Sequence, residues 1–158
     1  MGELRIAAAE PQSPPALALL AQAVAEARQP DPELFSSAAP APTNPPRSPR
    51  ALLLLAWLDG LPAGCAGLYP LEGDCGELRR MFTTRAARRR GVARRLLAAL
   101  EQAGRAFGDT ALRLETGDRQ PEALALCRAC GYVPSARYGR RCGDPSSRCF
   151  QQRLRNGH

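Results

Sequence analysis

Between residues 52 and 107 of this 158-residue chain the apolar residues keep a strand-like pattern and then change to a helical period, and that change constrains the fold most. Leu52–Leu58 is a continuous apolar run closed by Asp59-Gly60, which predicts a buried strand entering a hairpin turn. Residues 63–69, ended by Pro70, form the return strand, and 76–83 a third. Beyond them Val92, Leu96, Leu100, Ala103 and Phe107 recur at helical spacing and predict a helix over about 91–106. Three strands in succession followed by an amphipathic helix need a sheet for that helix to cover.

The flanks extend the pattern. Leu4–Ala8 predicts a short first strand, and Pro14-Pro15 suits the start of a helix over about 16–28. Its expected buried face is Leu17, Leu20, Ala21 and Val24. Residues 29–50 hold seven prolines among Ser and Ala, a composition that excludes a helix or central strand and predicts an extended loop. Residues 111–115 predict a strand, 121–130 a helix closed by Gly131, and 147–154 a last strand. The order is that of an α/β (α+β) mixed sheet with helices on both faces, one domain spanning 1–158 with the 29–50 loop inside it.

Composition removes several chemistries. All 22 basic residues are Arg, so no lysine is present for a Schiff base or a Walker-type phosphate loop. The one histidine is His158, which leaves a Ser–His–Asp or Cys–His centre without its base. Residues 16–25 resemble the apolar part of an export signal, but the segment before them has no net positive charge and contains Pro11, Pro14 and Pro15. No apolar run reaches bilayer-spanning length. The expected location is the cytoplasm, with the six cysteines as free thiols.

The formal charge of +7 is unevenly placed. Residues 79–95 carry eight Arg and no acid, whereas residues 1–78 balance at −5. Within the basic segment Arg88-Arg89-Arg90-Gly91-Val92-Ala93-Arg94 lies where a strand gives way to a helix. A helix N-terminus exposes unpaired N–H groups and a positive dipole end, and therefore favours anions. Gly91 and Ala93 keep that end clear of side chains, and the neighbouring guanidinium groups suit phosphate oxygens.

The pattern Arg-x-x-Gly-x-Ala after a strand resembles motif A of the GNAT superfamily, the acyl-CoA-dependent N-acetyltransferases. Its surroundings carry the resemblance further: Gly76-Glu77-Leu78-Arg79-Arg80-Met81-Phe82 before it, and Leu114-Glu115-Thr116-Gly117, Gln120-Pro121-Glu122-Ala123-Leu124 and Gly131-Tyr132 after it. The chain is thus similar to the branch with a Leu-Asp/Glu-Thr-Gly element, well over 51–153 and loosely over 1–28. The resemblance implies a GNAT fold with a mostly antiparallel central sheet, and acetyl-CoA as co-substrate for acetylating a primary amine of a small molecule or peptide. No metal, nucleic-acid or membrane partner is expected, and a homodimer is compatible with the family.

By the same resemblance Met81, Phe82 and Thr83 pair through their backbone with the pantetheine arm. Arg88, Arg89, Arg90, Gly91, Val92, Ala93 and Arg94 hold the pyrophosphate, and Gln120 stands where many members carry Asn against the cofactor. Glu77 is the candidate general base, placed by strand alternation on one face with Arg79 and Met81; an ion pair with a neighbouring Arg is the equally weighted alternative. Cys127 replaces the usual Tyr general acid. A buried core thiol is the favoured reading there, and Tyr138 or water is left as proton donor. Two rivals stand beside the enzyme. Cys127-x-x-Cys130 with Cys142 and Cys149 offers four thiols to zinc, against helical periodicity and without compact spacing. The Arg-rich segments offer a nucleic-acid footprint without catalytic activity, against few aromatics and no binding signature.

Overall fold

The computed structural model describes residues 3–28, 43–117, 121–135 and 147–154. Seven strands form one sheet: β1 (Leu4–Ala8), β2 (Leu52–Leu58), β3 (Leu61–Pro70), β4 (Cys75–Thr83), β5 (Ala111–Gly117), β6 (Val133–Pro134) and β7 (Ser147–Arg153). Their order across the sheet is β1-β2-β3-β4-β5-β7-β6. Only β4 and β5 run parallel among these neighbours, as the crossover through a helix between them requires. The helices are α1 (Pro14–Arg28), α2 (Val92–Phe107) and α3 (Pro121–Ala129). The short β6 and a 3-10 turn at Arg85–Ala87 had no periodicity to reveal them.

Strand alternation sorts the core into two layers. Leu54, Ala56, Ala66, Leu68, Leu78, Leu112 and Leu114 point to one face, where Val92, Leu96, Leu97 and Leu100 of α2 and Cys127 of α3 meet them. Leu53, Leu55 and Cys65 point to the other, where Ala16 and Leu19 of α1 cover them. The α2 stripe runs as its spacing predicts. The α1 stripe does not: Ala16, Leu19 and Leu20 are buried while Ala21 is exposed, so the helix is turned by about one residue from the expected face. An Ala/Leu-rich helix is apolar nearly all round, and packing rather than periodicity sets its rotation.

Residues 43–48 are neither helix nor strand, 49–50 make a turn with Arg50 at φ +62°, and two polar anchors hold the segment. The buried Asn44 donates from Nδ2 to the Pro11 carbonyl (2.8 Å) and accepts at its carbonyl from Gln12 Nε2 (2.6 Å). Arg50 donates to the Gly73 (3.2 Å) and Cys75 (3.1 Å) carbonyls and pairs with Asp109, whose side chain is 1% exposed. The loop is thereby tied to the start of β4 and the end of α2.

Removing one partner of a buried ion pair leaves the other charge desolvated. Arg50→Met is expected to lower the unfolding free energy by about 3 kcal/mol in urea titrations, and Arg50→Met/Asp109→Asn to recover part of that loss. Burial also pushes the Cys65 and Cys127 thiols from 9.0 up to about 11. Because the folded state holds these protons more tightly, their stabilisation is complete below pH 9 and is lost as pH rises through 11. Alkaline unfolding between those values should become shallower in Cys65→Ala/Cys127→Ala, and an unchanged slope would contradict this.

Candidate functional site

The site begins with a strand that changes partners along its length. On one side β4 pairs with β3 from Gly76↔Pro70 to Thr83↔Gly64. On the other it pairs with β5 only from Cys75↔Ala111 to Leu78↔Leu114, although both strands continue. Beyond Leu78 the two parallel strands separate, and the β5-facing edge of residues 79–83 has no strand on it among the described residues.

The separation coincides with a bulge. Arg79 lies opposite Gly67 and Phe82 opposite Cys65, so β4 spends one residue more than β3 over this interval. Arg80 takes φ +60°, a left-handed conformation that a non-glycine residue adopts at some cost. The extra residue also reverses the faces beyond it. Phe82 joins Cys65 and Leu53 under α1, and Met81 packs into the α2 core. Simple alternation predicted Glu77, Arg79 and Met81 on one face; the bulge leaves Glu77 and Arg79 together and turns Met81 to the opposite side.

Past Thr83 the chain makes the 3-10 turn and enters α2 through Gly91, at φ +77°. A Cβ there would meet nothing within 4 Å, so the glycine serves the backbone conformation and an open approach rather than close packing. The first helical bond recorded runs from the Arg95 N–H to the Gly91 carbonyl (3.1 Å). The N–H groups of Val92, Ala93 and Arg94 precede it, no side chain caps the helix, and its first turn holds no acid. A pyrophosphate fits this end: unpaired donors, a positive dipole, open space, and the exposed Arg89, Arg90 and Arg94 around it. Val92 is buried and serves the core with its side chain, so only its backbone faces such a ligand.

Arg88 sits in the same junction but is already engaged. Its Nε donates to the Thr83 carbonyl (3.2 Å), and its guanidinium pairs with Glu26 of α1. It braces the junction between strand and helix against α1, a contact across 62 residues that no local motif signals.

The candidate chemical groups lie apart from this end. Glu77 stands opposite Tyr69 in the β3–β4 register, its side chain 20% exposed, with Arg79 Nε at 3.8 Å from Oε1. The ion pair foreseen as its alternative role is therefore formed, and enough of the carboxylate stays open to meet another group. Cys127 is buried in the α2 core, its thiol pushed up to about 11 by burial and then by the neighbouring Cys130. Such a thiol is a poor donor to an ordinary thiolate near pKa ~8.5, which favours the core reading. The Tyr132 hydroxyl donates to Glu101 of α2 (2.8 Å), and Gln152 Nε2 donates to the same oxygen (2.7 Å), so this phenol is a structural link. Gln120, Tyr138 and Cys142 lie outside the described residues. Cys65, Cys75, Cys127, Cys130 and Cys149 are free thiols, and the described residues hold no metal-binding group of three or more.

The model of the acetyltransferase (GNAT) family matches residues 18–132. An IAA acetyltransferase from Azospirillum brasilense is 36% identical over 107 residues, covering 67% of this chain and 70% of that protein. Among solved structures, a protein described as an acyl-CoA N-acyltransferase from Klebsiella pneumoniae superposes with a TM-score of 0.80 at 27% identity, covering 96% of this chain and 97% of the other. PaiA N-acetyltransferase from Thermoplasma acidophilum, solved in complex with coenzyme A, superposes with a TM-score of 0.58 at 17% identity, covering 66% and 61%. With its family match spanning β2 to β5, the opening between β4 and β5, and α2, the chain belongs to the GNAT acetyltransferase family and is an N-acetyltransferase.

Proposed function

We propose that this N-acetyltransferase draws its acyl group from acetyl-CoA bound where β4 and β5 part, and passes it to a primary amine admitted on the α1 face. The observation that carries the reading is the uncapped N-terminus of α2 lying just past a strand edge that no strand covers among the described residues. The PaiA relative in complex with coenzyme A supports the choice of cofactor. Bound acetyl-CoA supplies an activated thioester.

The chain's own residues hold and orient it. The N–H groups of Val92, Ala93 and Arg94 take the phosphate oxygens, with Gly91 leaving room and Arg89, Arg90 and Arg94 adding charge. The free edge of Met81, Phe82 and Thr83 adds the pantetheine amides as a further strand would be added. Gln120 contributes an amide contact. Arg88 acts here by bracing the cradle on α1 rather than by touching phosphate. Glu77, or a water it orients, accepts the proton that the ammonium must lose before it attacks. Proton delivery to the leaving thiolate falls to Tyr138 or to water.

The acceptor is a small-molecule or peptide amine, and the enzyme works in the cytoplasm, alone or as a homodimer, without nucleic acid or membrane. Three cations of the basic segment are engaged within the fold: Arg79 with Glu77, Arg88 with Glu26, and Arg95 with the Leu4 carbonyl (3.1 Å). No helix among the described residues is long and apolar enough to cross a membrane.

Isothermal titration with acetyl-CoA tests the cradle. Gly91→Glu, a carboxylate set at the phosphate position, should abolish binding while the far-ultraviolet circular dichroism stays unchanged; retained affinity would sink the assignment. Glu77→Gln should lower kcat at pH 7 by about a hundredfold or more, with acetyl-CoA affinity intact. A wild-type kcat in that variant would remove Glu77 from the chemistry.

A further inference from the structure

Two donors without acceptors lie on the α1 face of the sheet, beside the bulge. Tyr69 is 9% exposed, and its hydroxyl oxygen is buried with no hydrogen-bond partner. Arg80 Nε is likewise buried and unpartnered, and no ion pair or side-chain hydrogen bond engages this guanidinium among the described residues. Gly67 explains the tyrosine's position. A Cβ at that residue would stand 2.6 Å from the phenol oxygen, so the missing side chain lets the ring fold back along β3 over the glycine. Arg79 lies over the same ring at 5.6 Å. Burial raises the Tyr69 phenol above its usual value, while the Arg80 and Arg79 charges oppose the rise from close by. At neutral pH the hydroxyl therefore keeps its proton and remains a donor.

A buried hydroxyl without an acceptor is destabilising, and a half-buried guanidinium without a counter-ion more so. Both share one remedy: an anion offering two acceptor oxygens. The geometry points to Tyr69 and Arg80 as the seat for a carboxylate carried by the amine acceptor, which makes the substrate class amines with a carboxylate a few bonds from the nitrogen. The assignment rests on the acetyl-transfer reading and deepens it. The cofactor's phosphates are not the ligand, because α2 packs on the opposite face of the sheet from Tyr69 and Cys65. Glu77, opposite Tyr69 in the register, offers the ammonium a counter-charge on that same face. A guanidinium Nε–H and a phenol O–H together suit the two oxygens of one carboxylate.

The test compares an α-amino acid with its carboxamide and with its decarboxylated amine as acceptors. The wild-type enzyme should favour the carboxylate form in kcat/KM by about tenfold or more, mainly through KM. Arg80→Gln and Tyr69→Phe should erase that preference, and Arg80→Lys should keep part of it. Equal treatment of the three acceptors by the wild type, or an equal loss on all three in Arg80→Gln, would overturn the proposal. A second readout needs no turnover. Sodium acetate and sodium benzoate should raise the thermal midpoint of the wild type more than sodium chloride or sodium sulfate does, and Arg80→Gln should lose the difference. Equal effects of all four salts would mean non-specific salt stabilisation and refute the site. Acetyl-CoA titration run in parallel judges the cofactor reading separately: its failure there leaves the midpoint comparison to decide the anion seat.

Discussion

One strand, β4, has to serve two neighbours that pull it differently. It is bonded to β3 along nearly its whole length but to β5 over only four residues, and it takes up an extra residue at Arg80 between the two regimes. A bulge adds local twist and bends the strand that carries it. Here the bend falls where the parallel pair parts. The parting exposes the backbone edge that the cofactor reading uses, and the reversal of faces sets Phe82 beneath α1 and Met81 beneath α2. Without the bulge, Met81 would share the face of Glu77.

The other half of the site depends on where α2 begins. Gly91 adopts a backbone conformation that other residues take at a cost, and it leaves the helix end without a side-chain cap. Uncapped N–H groups at a helix start are a standing need for an acceptor, just as the unpartnered Tyr69 hydroxyl and Arg80 Nε are. Among the described residues these two unmet acceptor demands lie on opposite faces of one sheet. One lies at the mouth of α2 and suits phosphates. The other lies on the α1 side and suits a carboxylate.

Much of this was legible in the residues themselves. Apolar runs and their change of period located β1 to β5, β7 and the three helices, because burial of one face imposes those spacings directly. The Arg-x-x-Gly-x-Ala junction was legible for the same kind of reason: glycine and small residues at a helix start have a local cause. What escaped was long-range. The Arg88–Glu26 and Arg50–Asp109 pairs join residues far apart in the chain, and nothing near Arg88 announces its partner on α1. The bulge at Arg80 also escaped, since a positive φ at arginine has no compositional mark. With it went the true face of Met81 and the significance of Tyr69, which depends on the absent side chain of Gly67.

The free β4 edge and the start of α2 together form the proposed seat of acetyl-CoA. Amide hydrogen exchange followed by mass spectrometry, with and without acetyl-CoA, tests it most directly. Slowed exchange is expected in residues 79–83 and 91–95 on addition of the cofactor, with β1 and β2 unchanged. Protection confined to other segments, or none in either of these two, would contradict it.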